Sequence, residues 1–110
     1  MLEKFEVYKD ASGEHRFRLK APNGKIIATG EGYKTKAACL NGIKSVKENC
    51  KIPERFETYQ DDKGQWRYRL KAANGQVIAV GEGYSSQASM KNGIESVKKN
   101  AATAEVKEVE

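Results

Sequence analysis

Along the chain, apolar and polar positions follow two periods in alternation, and the whole sequence of periods occurs twice. From Glu3 to Asp10, Phe5 and Val7 alternate with Glu6 and Tyr8, a period of two that predicts a strand. Asp10-Ala11-Ser12-Gly13-Glu14 supplies turn residues. A second strand is predicted over His15–Ala21, where Phe17, Leu19 and Ala21 alternate with Arg16, Arg18 and Lys20. Asn23-Gly24 is the strongest hairpin signal, and a type I′ turn with positive φ at both central residues is expected there. A third strand follows over Lys25–Thr29, after which Gly30 and Gly32 are expected to break the strand and let the chain turn. The period then becomes helical. Cys39, Ile43, Val46 and Cys50 form one stripe behind Thr35, predicting a helix over about Lys36–Asn49 with Thr35 as N-cap. Gly42 inside that helix costs about 1 kcal/mol relative to alanine. Its return as Gly93 predicts that the helix backbone packs closely on the sheet. Pro53 ends the first unit.

Phe5–Cys50 aligns with Phe56–Ala101 without a gap, with 26 of 46 positions identical and matched residues 51 apart. Strands are accordingly predicted over Arg55–Gln60, Gln65–Ala72 and Gln76–Val80. The second helix is predicted over Gln87–Asn100, with the stripe Met90, Ile94, Val97 and Ala101. Ala104–Val109 alternates again and predicts a last short strand, prone to fray. A unit of about 50 residues buries too little surface to stand comfortably alone, whereas two facing units can share a core. One domain is expected, made of repeats at about 3–52 and 54–109.

Leu19-Lys20-Ala21 with Asn23-Gly24, then Ile27, Tyr33 and Gly42-Ile43-Lys44-Ser45-Val46-Lys47-Glu48-Asn49, resemble the YegP-like family. Its members are small, mostly bacterial proteins of unassigned function. The second copy matches equally, through Asn92-Gly93-Ile94-Glu95-Ser96-Val97-Lys98-Lys99-Asn100. The resemblance covers nearly the whole chain. It implies an α+β fold in which two tandem β-β-β-α-β repeats form one antiparallel sheet, with two helices packed on one face. It also implies that the C-terminal strands are exchanged between the halves, which leaves another role for Lys51–Tyr59. It brings no catalytic motif, so no functional residue is carried over.

Charge adds a question about partners. The net charge of +5 is uneven: residues 101–110 carry −2 and residues 1–100 carry +7. A basic body raises nucleic acid as a partner, although solubility alone accounts for such a charge. No apolar run approaches the roughly 18–20 residues that span a bilayer, and Met1-Leu2-Glu3-Lys4-Phe5 lacks a secretion signal's apolar core. A cytoplasmic protein without a membrane partner is expected. Cys39 and Cys50 stand eleven residues apart on one helix. At about 1.5 Å per residue that is roughly 16 Å, beyond disulfide reach, and close to three turns, so both share a face. They read as small core residues in a reducing compartment.

Two helices on one side leave the other side of the sheet open. If the first hairpin pairs residues whose numbers sum to 26, Phe5 and Val7 meet Ala21 and Leu19 on the core face. The open face then pairs Glu6 with Lys20, Tyr8 with Arg18 and Asp10 with Arg16. Its second half pairs Glu57 with Lys71, Tyr59 with Arg69 and Asp61 with Arg67. Every charged pair is complementary. The next turn is expected to set Ile27 beside Lys20, Thr29 beside Arg18 and Glu31 beside Arg16, with Ile78, Val80 and Glu82 as counterparts. The candidate binding surface is therefore Tyr8, Arg16, Arg18, Lys20 and Ile27 with Tyr59, Arg67, Arg69, Lys71 and Ile78. Cations hold phosphates and rings stack on bases. Counting Glu31 and Glu82, each half has three cations against three anions. An ion-paired, solvated face is thus expected first, then a protein contact or a homodimer through Ile27, Ile78 and Val80. Weak, salt-dependent nucleic-acid binding ranks after these.

Signs of catalysis are few. Gly30-Glu31-Gly32 opens like a dinucleotide loop, but Thr35 stands where the third glycine belongs, and a hairpin precedes it. His15 is the only histidine, it becomes Trp66 in the second copy, and it reads as a rim residue. There is no His/Cys metal spacing, no nucleophile with its own base, and no carboxylate pair in an apolar setting. The expectation is a monomeric, noncatalytic interaction or accessory module without metal or cofactor.

Overall fold

The alternating stretches form strands and the helical stretches form helices. The structure, a computed structural model, describes residues 3–109. In chain order these are β1 (Lys4–Lys9), β2 (His15–Lys20), β3 (Ile26–Gly30), α1 (Lys36–Asn49) and a 3₁₀ turn at Pro53–Arg55. Then come β4 (Phe56–Gln60), β5 (Trp66–Lys71), β6 (Val77–Val80), α2 (Gln87–Thr103) and β7 (Glu105–Glu108). α1 has its predicted bounds, and the Thr35 hydroxyl accepts a hydrogen bond from Ala38 N at 3.1 Å. Ser86 caps α2 in the same way. α2 runs three residues beyond its predicted end, where Ala101 and Ala102, the best helix formers, carry it on.

All four hairpin loops close alike. Ala21 N donates to Lys25 O, Gly24 N donates to Ala21 O, and Gly24 takes a φ of +86°. The same bonds join Asp10 to Glu14, Asp61 to Gln65 and Ala72 to Gln76, each with a positive-φ glycine before the last residue. These are three-residue loops ending in a left-handed glycine, not the two-residue type I′ turn expected at Asn23-Gly24. Pro22 has no N–H and cannot close a two-residue loop on Lys25. Closing the first loop at Asp10 and Glu14 makes paired residues sum to 24, so Phe5 faces Leu19 and Tyr8 faces Arg16. The slip of two residues keeps every side chain on its predicted face.

The strand order is β4-β5-β6-β3-β2-β1-β7. The repeats meet at the centre, where β3 and β6 pair antiparallel through Thr29–Val80 and Gly30–Ala79. β7 lies parallel to β1, so the sheet departs from the expected all-antiparallel pairing at this edge. Strand exchange runs one way. The last strand of the second repeat covers the edge of the first, while residues 50–55 are spent linking α1 to β4, whose only strand partner among the described residues is β5.

α1 rests on β2, β5 and β6, and α2 on β1, β3 and β5, so each helix spans both repeats. The predicted stripe residues Cys39, Ile43, Val46, Cys50, Met90, Val97 and Ala101 are buried, and Ile94 is partly so. Both cysteines are free, and burial raises their thiol pKa values. The close approach at Gly42 comes from the Tyr33 side chain, whose hydroxyl occupies the space a Cβ would need, and not from the sheet. Gly30 and Gly81 likewise serve space: a Cβ there would overlap the rings of Phe17 and Tyr68. Neither has the positive φ of a chain-reversing glycine. The Tyr68 hydroxyl donates across the repeat boundary to Ile27 O.

Candidate functional site

The face opposite the helices carries two ladders of side chains, one per repeat. In the first, Glu6 accepts from Arg18 Nε at 2.8 Å, with Lys20 Nζ at 3.3 Å and Lys4 Nζ at 3.6 Å. Glu6 is only 5% exposed. The Arg18 guanidinium lies over the Tyr8 ring, 4.5 Å from its centre. Arg16 Nε donates to Asp10 Oδ2 at 2.6 Å. The other Asp10 oxygen accepts from Ser12 N and Glu14 N, so one carboxylate both holds the turn and anchors the arginine.

The second ladder repeats the first. Glu57 accepts from Arg69 and, at 3.2 Å, from Lys71. Arg69 lies over Tyr59 at 4.5 Å, and Arg67 Nε donates to Asp61 Oδ2 at 2.8 Å. All six side-chain pairs expected from the sequence are therefore in contact, although the backbone register slid by two. Long side chains reach their diagonal neighbours across the strands. Because β4 is an uncovered edge, the Glu57 side chain is 42% exposed, far more than its counterpart Glu6.

The isoleucines do not join this face as a docking surface. A bulge between Leu19 and Lys20 sets Lys20 opposite Ile26 instead of Ile27, and Lys71 opposite Val77 instead of Ile78. Ile27 and Ile78 are each 7% exposed and belong to the core cluster. The apolar patch expected from Ile27, Ile78 and Val80 is thus not presented. Glu31 was expected beside Arg16, but Asp10 takes that arginine, and Glu31 and Glu82 make no ion pair among the described residues. One feature escaped the sequence reading, Lys4 as a third cation on Glu6. Asp10, expected among the turn residues, holds its loop through its side chain, and Asp61 does the same in the second repeat.

These contacts hold the carboxylates in their charged form. Arg18 lowers the Glu6 pKa, Arg69 that of Glu57, and Arg67 that of Asp61, while Ser12 and then Arg16 lower Asp10. A carboxylate lowered on folding contributes stability that is complete above its unfolded pKa, about 4 to 4.5, and lost as pH falls through the folded value. The urea midpoint should therefore hold at neutral pH and decline as the solution is acidified below about pH 4.5. Glu6→Gln should cost about 1–3 kcal/mol at neutral pH and flatten part of that decline. A wild-type midpoint indifferent to acid would contradict the assignment.

The chain matches the family described as "Domain of unknown function (DUF1508)" twice, over residues 10–57 and 61–108. It is 49% identical over 109 residues to the UPF0339 protein in the ptx operon 5′ region of Stutzerimonas stutzeri, covering 99% of this chain and 98% of that one. It is 42% identical to the UPF0339 protein YegP of Yersinia pestis, covering 98% and 96%. The solution NMR structure of yegP from E. coli, a protein of unknown function, superposes with a TM-score of 0.92 at 39% identity, covering 98% of this chain and 93% of that chain. No activity is assigned to any of these three proteins by its description. Their full-length match and the shared fold settle kinship: the chain belongs to the DUF1508 family, in its tandem-repeat, YegP-like form.

Proposed function

We propose that the chain is a noncatalytic cytosolic interaction module that meets a protein partner through the open face of its sheet. The observation that carries this reading is the pairing on that face. Arg16, Arg18, Lys20, Arg67, Arg69 and Lys71 each hold a carboxylate in place. Phosphates would have to displace those carboxylates, whereas a protein surface can add to hydrogen-bonding and stacking groups that are already fixed. Arginine and tyrosine, the residues of the ladders, are also those enriched where proteins meet.

The electrostatics support the noncatalytic part. Among the described residues, every carboxylate with a shifted pKa is pushed down, and both thiols are pushed up. A general acid and a thiolate nucleophile need the opposite shifts. Free, buried cysteines suit a reducing compartment. Among the described residues, no helix is long and apolar enough to cross a membrane.

A photo-reactive phenylalanine analogue at Tyr59, compared with one at Lys91 on the exposed side of α2, tests the reading in cells. Position 59 should yield a discrete protein adduct that Arg69→Ala diminishes, and position 91 should not. Adducts from position 91 alone would contradict it. The +7 carried by residues 1–100 favours a second reading, nucleic-acid binding on the same face.

A further inference from the structure

On the helix side of the sheet the two repeats differ in a cluster of basic positions, and there the chain forms a pocket. At the end of β1, about 530 Å³ is bordered by Val7, Tyr8, Lys9, His15, Lys36, Glu108 and Val109. That volume lies within the roughly 300–1,000 Å³ typical of small-molecule sites. Strand geometry explains how the groups converge. Lys9 stands two residues beyond the buried Val7 and so on the same face, and His15 is its cross-strand partner. Glu108 of β7 is paired with Val7, and Lys36, the first residue of α1, makes an ion pair with Glu108.

The second repeat has none of these basic groups. At the positions of Lys9, His15 and Lys36 stand Gln60, Trp66 and Gln87, whereas Tyr8 and Arg16 return as Tyr59 and Arg67. The backbone is the same: His15 and Tyr33 exchange bonds of 2.7 and 2.8 Å, and so do Trp66 and Tyr84. Trp66 packs against the core. β7 walls the first repeat only. One repeat thus holds a half-open pocket with two lysines and an imidazole, and the other holds an indole and two neutral amides.

We propose that this pocket binds a small organic anion, with its phosphate or carboxylate held by Lys9, His15 and Lys36 and its apolar part against Val7 and Val109. Lys36 exchanges Glu108 for the ligand, and Glu108 can yield because all four residues of β7 are exposed. Two lysines against one carboxylate leave the site positive. The site borders the open face at Tyr8, but none of its charged groups belongs to the ladders, so it does not rest on the function proposed for that face.

Amide chemical-shift titrations with phenyl phosphate, benzoate, inorganic phosphate and uncharged benzyl alcohol test the proposal. Saturable shifts at residues 7–9, 15, 36 and 108–109 are expected with at least one of the two aromatic anions, and the tighter of the two identifies the anionic group. Inorganic phosphate should bind more weakly than phenyl phosphate. His15→Trp installs the residue the chain already accommodates on the same backbone in its second repeat. It should keep the fold and weaken binding by more than about tenfold. Lys9→Gln and Lys36→Gln, also residues of the second repeat, should each weaken it, which keeps the test open if the tryptophan variant misfolds. The proposal is overturned by an absence of saturable shifts, by equal binding of benzyl alcohol or of inorganic phosphate, or by shifts confined to 16–20 and 67–71. Unchanged affinity in these variants would overturn it too.

Discussion

Gly81→Ala should destabilise the protein by about 3 kcal/mol or more, a large share of the roughly 5–15 kcal/mol that holds a domain folded. The new Cβ overlaps the Tyr68 ring, and that ring has nowhere to go. Tyr68 is 1% exposed, stacked on Tyr84 at 6.3 Å and edge-on to Phe56 at 6.0 Å. Overpacking of this kind costs about 1–3 kcal/mol. Shifting the ring also pulls its hydroxyl from the Ile27 carbonyl of the other repeat, and a buried group left unpaired costs about 1–3 kcal/mol more. Gly30→Ala meets the Phe17 ring, which has no hydroxyl to lose, so its cost should be smaller. Urea unfolding of the two variants measures the difference. A larger loss at Gly30 than at Gly81 would contradict the role given to the Tyr68 hydroxyl.

Phe17→Ala should cost about 3–5 kcal/mol. Phe17 is fully buried, edge-on to Phe5 at 5.8 Å and stacked with Tyr33 at 6.4 Å. The more telling readout is in the other repeat. Trp66, the sole tryptophan, lies in the second repeat and packs against the shared core. Both helices span both repeats, so Trp66 fluorescence should shift its unfolding midpoint together with far-UV circular dichroism. A Trp66 transition that stays at the wild-type midpoint would show repeats that fold independently.

What could be read from the sequence was what depends on local alternation. Period two placed Arg16, Arg18 and Lys20 on one face and Phe17 and Leu19 on the other. Because a slip of two residues preserves faces, the ladder contacts held even though the register did not. Thr35 marked the start of α1 because its hydroxyl satisfies a free backbone N–H there. What could not be read depends on hydrogen bonds that several local patterns share. Asn23-Gly24 suits either loop length, and the Ala21–Lys25 closure decides between them. The bulges that remove Ile27 and Ile78 from the open face carry no residue signal of their own. The direction of β7 is set by pairing with β1 at the other end of the chain. The difference between His15 and Trp66 was visible, but the placing of His15 near Lys36 and Glu108 was not.

The two readings of the open face separate most directly in amide chemical-shift titrations with short single-stranded and duplex oligonucleotides at about 50 and 200 mM salt. Cations already committed to carboxylates predict no saturable shift at residues 16–20 or 67–71 at the higher salt, and at most weak, diffuse shifts at the lower. Saturable shifts clustered on those residues, with an affinity falling steeply between the two salts, would contradict a protein-docking face and assign it to nucleic acid.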